Sequence, residues 1–284
     1  MTSERHDATT GEADGPRHIL RFDRYDRFLH SFLMLSFLGL AGTGLPLLFS
    51  EMRWARVLAR LWGGFVVAGV LHRLFAIILI AVFTLHLWRL LRRLFVQKDL
   101  SILWGPASMV PQPRDVIEMM QHFRWFFGLG PRPPFDHFTY WEKFDYWAVF
   151  WGMGIIGGSG FLLWFPEVFS AFLPGWMFNV AMLVHGEEAL LAVGFIFTIH
   201  FFNGHLRPDK FPMDLVIFTG RVEAEEFAHE RPAEYERLLA AGAYDAHLTT
   251  PPSLRARRIG RIAGTLTVTV GLALVVLILY AFFS

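Results

Sequence analysis

The chain has 284 residues, is 54% hydrophobic and carries a formal net charge of +1 with no cysteine; its mean hydropathy is +0.40. Soluble domains hold roughly 45–50% apolar residues, so this composition belongs to a membrane protein, and the apolar excess sits in long uninterrupted runs. The lack of cysteine excludes thiolate-bound iron–sulfur clusters, disulfides, Cys-containing zinc sites and covalently attached haem, so any metal must be held by His, Met or carboxylate.

Residues 1–27 are polar throughout, without the basic stretch and short apolar core of a signal peptide, and are expected to form a retained cytoplasmic tail. A bilayer core about 30 Å thick needs roughly 20 apolar residues in a helix. Five stretches qualify: 28–50, 62–88, 144–165, 177–202 and 259–283. The predicted fold is therefore all-α, with five transmembrane helices. The first four, in 28–205, form a bundle, and the fifth occupies 259–284. Between the second and third, Pro113, Asp115 and apolar residues three or four apart predict an interfacial helix over about 113–127. Segment 206–258 is acidic and Pro-containing, with Glu223, Glu225, Glu226, Glu230, Glu234 and Glu236. It reads as a solvated cytoplasmic connection with too few apolar residues for a core of its own. No internal repeat of fixed period stands out.

Basic residues set the expected orientation. A cytoplasmic N-terminus puts 22 of the 26 Lys and Arg on the inner side, leaving Arg53, Arg56 and Arg60 outside and Arg73 within a span. The chain then ends outside, in the inner membrane of a bacterium.

Five of the twelve histidines lie in the apolar runs: His30, His72, His86, His185 and His200. Ionisable residues at membrane depth are rare and mark function. His72 and His185 fall level toward the outer ends of helices two and four, while His86 and His200 fall near the inner ends of the same helices, level with His30. The spacings of 14 and 15 residues return each pair to within about 40–60° of one helix face, displaced about 21–23 Å along the axis. Facing imidazoles at two heights in a four-helix bundle suit two bis-His irons, pointing to two non-covalent haems. Zinc would need three or four converging ligands. Glycines on helix one (Gly39, Gly42, Gly44) and helix three (Gly152, Gly154, Gly157, Gly158, Gly160) would admit a macrocycle close to the backbone, or simply let helices pack. Arg73, Glu187 and Glu188 lie near the outer layer. They read either as an ion pair between helices two and four, with Arg73 alternatively neutralising a haem propionate, or with Glu188 as a proton acceptor; the structural reading is preferred.

Taken together, Arg27-Phe28-Leu29-His30 leading into Gly42-Thr43-Gly44-Leu45, His72, Tyr140-Trp141-Glu142-Lys143, and His185 with His200 resemble the di-haem cytochrome b subunits of formate dehydrogenase (gamma subunit), NiFe-hydrogenase and thiosulfate reductase, relatives of bacterial cytochrome b561. The resemblance covers residues 17–205. It implies an outer haem b on His72 and His185 and an inner one on His30 and His200, with His86 surplus; helical geometry alone would as readily pair His86 with His200. It further implies quinone exchange near the inner haem, at Thr139, Asn203 and His200, and a periplasmic Fe–S or multihaem cytochrome c partner over residues 51–61 and 166–176. His137-Phe138-Thr139 stands where relatives commonly carry Lys-Tyr-Asn, and the fifth helix and the acidic segment also depart from the plainest members. The implied role is electron transfer between the quinone pool and that partner, with substrate chemistry left to the partner and no nucleic-acid contact. The competing readings are a haem-handling protein without redox turnover and a structural anchor, which would leave the five histidines without a reason.

Overall fold

Asp23 opens the first long helix. Its carboxylate accepts from the Asp26 backbone N–H while Asp26 reaches back to the Asp23 N–H, a reciprocal cap that satisfies two otherwise orphaned donors. From there α1 runs Arg24–Leu48. A short α2, Arg53–Leu61, follows it. Gly63 and Gly64, at φ +96° and +104°, make the reversal that residues with a Cβ avoid. Beyond them α3 runs Phe65–Leu91 and winds on to Val96. The computed structural model describes residues 16–284.

Pro113 at the first turn and a Gln112–Asp115 box start α4, Pro113–Phe126. A Thr139–Glu142 box starts α5, Tyr140–Trp164. After a short turn of helix at Pro166–Phe169, α6 runs Trp176–Leu206. The connection then folds as α7 (Val216–Thr219), β1 (Arg221–Glu223), α8 (Ala224–Glu230), α9 (Pro232–Ala240) and β2 (Leu248–Thr249). Ser253 caps the last helix, α10, Leu254–Phe283. The described residues are 73% helical. Among the described residues five helices (α1, α3, α5, α6 and α10) are long and apolar enough to cross a membrane, which makes this a multi-pass membrane protein.

The spans meet around a buried cluster of Ala41 and Leu45 from α1, Val193, Phe197 and Phe201 from α6, and Leu274 and Ile278 from α10. α10 comes close through glycines. A Cβ on Gly271 would stand 2.6 Å from both Phe197 Cδ1 and Phe201 Cε2, and one on Gly264 would meet Met213 Sδ. Between α1 and α3, α2 buries Ala55 and Ala59 and turns Arg53, Arg56 and Arg60 outward.

The acidic segment departs from the expectation of a coreless connection. A third strand, His18–Leu20, lies between β1 and β2 in antiparallel register, Ile19 opposite Val222 and Leu248. Ile19, Val222, Phe227 and Leu238 are buried together, with Tyr235 and Tyr244 packed against them. The apolar residues of 206–258 suffice because the N-terminal segment adds the central strand, which also means the expected polar tail 1–27 is partly structural; residues 1–15 lie outside the described residues.

Charges in this cap are largely paired inward. Arg21 meets Glu234 (3.3 Å), Arg231 meets Glu142 (2.8 Å), Arg237 meets Asp136 (2.9 Å), and His137 bonds Glu234. Burial, with Arg231 alongside, lowers the Arg21 pKa to about 10, and burial likewise pushes His137 down. Lys210 sits among Asp214, Glu226 and Glu230. Burial alone would lower its pKa, but the surrounding carboxylates raise it well above the ordinary lysine value.

Candidate functional site

Two heights in the bundle carry the chemistry-bearing side chains, one toward the cap and one toward the α2 side. On the α2 side, His72 of α3 and His185 of α6 face each other with ring centroids 6.2 Å apart and planes at 78°. With metal–imidazole bonds of about 2 Å, two axial imidazoles on one metal have centroids about 6 Å apart.

Each of these imidazoles is anchored in the same way by the neighbouring helix. Thr43 Oγ1 donates to the Gly39 carbonyl (2.6 Å), so toward His72 Nδ1, 3.1 Å away, it serves as acceptor. Ser159 Oγ donates to the Ile155 carbonyl (2.7 Å) and stands 3.4 Å from His185 Nδ1, which also donates to the Ile156 carbonyl at 2.9 Å. Ile156 lies in the π turn Met153–Gly157, whose wider winding loosens the backbone ladder. Both rings therefore keep the proton on Nδ1 and present a bare Nε2, the tautomer that ligates a metal.

Glycine completes each anchor. A Cβ on Gly44 would lie 2.9 Å from His72 Cε1, and one on Gly160 would lie 2.8 Å from His185 Cε1. Leu40-Ala41-Gly42-Thr43-Gly44 and Ile156-Gly157-Gly158-Ser159-Gly160 are thus equivalent cradles on α1 and α5. Sequence reading missed this repeat because only the aliphatic, hydroxyl and glycine positions correspond.

The cap-side height is arranged differently. His200 Nδ1 bonds Asp145 Oδ2 at 2.8 Å, a ring–carboxylate contact that fixes the orientation of the imidazole. His86 Nε2 is engaged by the Tyr146 hydroxyl at 2.8 Å. His30 has no side-chain hydrogen bond among the described residues, and it lies within electrostatic range of His200 and of His205, which sequence reading passed over.

The other predicted residues divide. Arg73 is exposed and makes no ion pair among the described residues, and Glu188 instead accepts from Trp151 Nε1 at 3.2 Å, so the expected bridge between α3 and α6 is absent. The reason is rotational: with His72 turned inward, its neighbour lies about 100° around the helix, pointing away from α6. Gly42 packs on Trp62, whose indole donates to its carbonyl at 2.9 Å, and Gly157 meets only Met153; neither touches a histidine. Thr139 is 1% exposed, and its hydroxyl is spent on Glu142 as the α5 cap.

Asn203 lines a cavity of about 860 Å³ between α4, the start of α5 and the end of α6. Its walls are mostly apolar, with Asp115, His122, Lys143, Asp145 and Arg207 among the polar groups. Lys143 is 1% exposed and donates to both Asp115 oxygens at 2.7 and 2.9 Å. His122 lies between Trp125 and Trp141, its pKa lowered to about 4 by burial and then by Arg132 and Arg207. Behind this wall the Glu118 pKa is raised to about 7, by burial first and then by Asp115.

The donor set on the α2 side is compatible with a bis-imidazole iron: two imidazoles whose Nδ1 atoms are engaged, ring centroids 6.2 Å apart, with glycine where a side chain would collide. Among the described residues no group of three or more His, Asp or Glu converges as a metal cage. No protein-family model and no curated protein matches the chain.

Proposed function

We propose that this protein is a membrane cytochrome b subunit that holds two haems b without covalent attachment and passes electrons between the quinone pool and a partner redox protein. The observation that carries the reading is the His72–His185 pair, 6.2 Å between centroids, with both Nδ1 atoms held by α1 and α5. His72 and His185 hold one haem. His30 and His200 hold the other, because Nε2 of His86 is already bonded to Tyr146 while Asp145 orients His200. When bound, the haems supply one-electron carriers at two depths in the membrane.

Quinone occupies the cavity beside Asn203. Asp145 links this cavity to the inner ligand, since it lines the wall and bonds His200. A ligand site of about 300–1,000 Å³, mostly apolar with a few polar groups, is the usual form of a small-molecule pocket. The distribution of Lys and Arg supports an inner-membrane setting with the cap in the cytoplasm and the α2 side facing a periplasmic Fe–S or multihaem cytochrome c partner.

A reduced-minus-oxidised spectrum of the purified protein, with a haem count, tests this. About two low-spin haems per chain that reduce with quinol or with the partner are expected. Sub-stoichiometric haem that exchanges freely would favour haem handling, and no haem would leave only an anchor.

A further inference from the structure

Lys143 raises a question that packing does not answer. Its ammonium is enclosed, 1% exposed, at the start of a membrane-spanning helix, where burying a charge is costly even when it is paired. A structural tie between α4 and α5 could be made by apolar side chains of similar volume. The pair is instead placed on the wall of the large apolar cavity, and both Lys143 and Asp115 line it.

The donor arithmetic is specific. A lysine ammonium has three N–H donors and no acceptor. The two Asp115 oxygens, at 2.7 and 2.9 Å, account for two of the donors. Asp115 is itself held by the Gln112 backbone N–H at 2.6 Å, so it cannot follow the ammonium away from α4. The third N–H has no side-chain or backbone partner among the described residues. Thr139, the polar residue expected to meet a quinone oxygen, has its hydroxyl engaged with Glu142 and does not line the cavity.

We infer that Lys143 is the hydrogen-bond donor to one carbonyl oxygen of a quinone in this cavity, with Asp115 as the positioning residue that aims its ammonium. The inference rests on the proposed quinone reading and names the recognising group within it. A charge-assisted donor in a desolvated pocket is a strong contact, and it acts on the polar head while the aromatic walls take the ring. A site built to hydrogen-bond a carbonyl loses most when its donor is removed, because the ligand oxygen is then buried unpaired.

The test uses the full haem-loaded chain in nanodiscs, with decylubiquinone and a short-chain naphthoquinone as probes. Binding is read from quenching of Trp125, Trp141 and Trp147, which line the cavity. K143M is expected to weaken binding at least about tenfold, the scale of a lost charge-assisted bond, and K143R to retain part of it. The double variant K143M/D115L removes both charges together and so leaves no unpaired ion to unfold the site; it too is expected to lose at least about tenfold, with haem content and visible spectrum unchanged. A double variant that binds either probe as tightly as the wild type would overturn the inference. Absence of binding to the wild type would instead remove the quinone reading beneath it.

Discussion

Gly44 and Gly160 leave room for an imidazole and for nothing more. Their added Cβ atoms would stand 2.9 and 2.8 Å from the Cε1 atoms of His72 and His185, closer than any real Cβ contact. A free histidine could swing aside, but one bonded to iron cannot. Gly44→Ala and Gly160→Ala are therefore each expected to lower the haem count from about two to about one per chain, measured as pyridine haemochrome, with the remaining haem spectrally normal. The hydroxyls beside them act more gently. Removing the acceptor from Nδ1–H makes the imidazole a weaker base and favours the reduced iron. Thr43→Val should shift the midpoint potential of one haem upward and leave the other in place, as a redox titration would show, whereas Ser159→Ala should shift it less, because the Ile156 carbonyl still accepts from His185 Nδ1. At this scale the sequence was partly readable. The histidines were conspicuous because ionisable groups in apolar runs are few. Their anchors were not, because Thr43 and Ser159 look like ordinary membrane-helix residues until the neighbouring helix is in place.

Among the elements, α4 carries a pH dependence that can be worked out from its two perturbed groups. His122, with its pKa at about 4 instead of about 6.5, is neutral when α4 is docked. Below pH 6.5 a detached α4 gains a proton that the docked helix refuses, so docking weakens as pH falls toward 4. Glu118, raised to about 7, works oppositely: between about 4.5 and 7 the docked helix holds a proton that a detached one loses, so docking weakens as pH rises across that window. The two windows overlap and the shifts are similar in size, so the effects largely offset each other, and hydrogen exchange of the α4 amides, corrected for the intrinsic rate, should change little between pH 4 and 7. Glu118→Gln is expected to remove that offset, so that exchange of the α4 amides accelerates as pH falls from about 6.5 toward 4. Docking of α10 depends on close approach. Gly271→Leu would drive a side chain into Phe197 and Phe201, an overpacking cost of about 1–3 kcal/mol, read as a lower thermal midpoint in detergent. The long spans were legible because apolar length alone defines them. α2 was not, since nine residues containing three arginines resemble a polar loop until Ala55 and Ala59 are seen buried on one face.

At the scale of the whole molecule, chain topology hid what composition could not reveal. The cap joins residues 18–20 to strands some 200 positions later, so its core never appears in one stretch of sequence. Its acids looked solvated, yet Glu234 faces Arg21, and Glu226 and Glu230 face Lys210 across elements. The cap also adjoins the cavity through α5, since Glu142 beside Lys143 is tied to Arg231. The spans, cap and cavity thus bring one set of histidines to two heights, with an apolar pocket at the lower one. The central claim is that His72 and His185 share one iron. Their planes stand at 78°, and near-perpendicular axial imidazoles give a ferric haem a highly anisotropic low-spin EPR signal, whereas parallel ones give a rhombic signal. The oxidised protein should show that anisotropic signal, and it should vanish in both His72→Ala and His185→Ala. A signal that survives either substitution, or a protein with no low-spin ferric signal, would contradict the account.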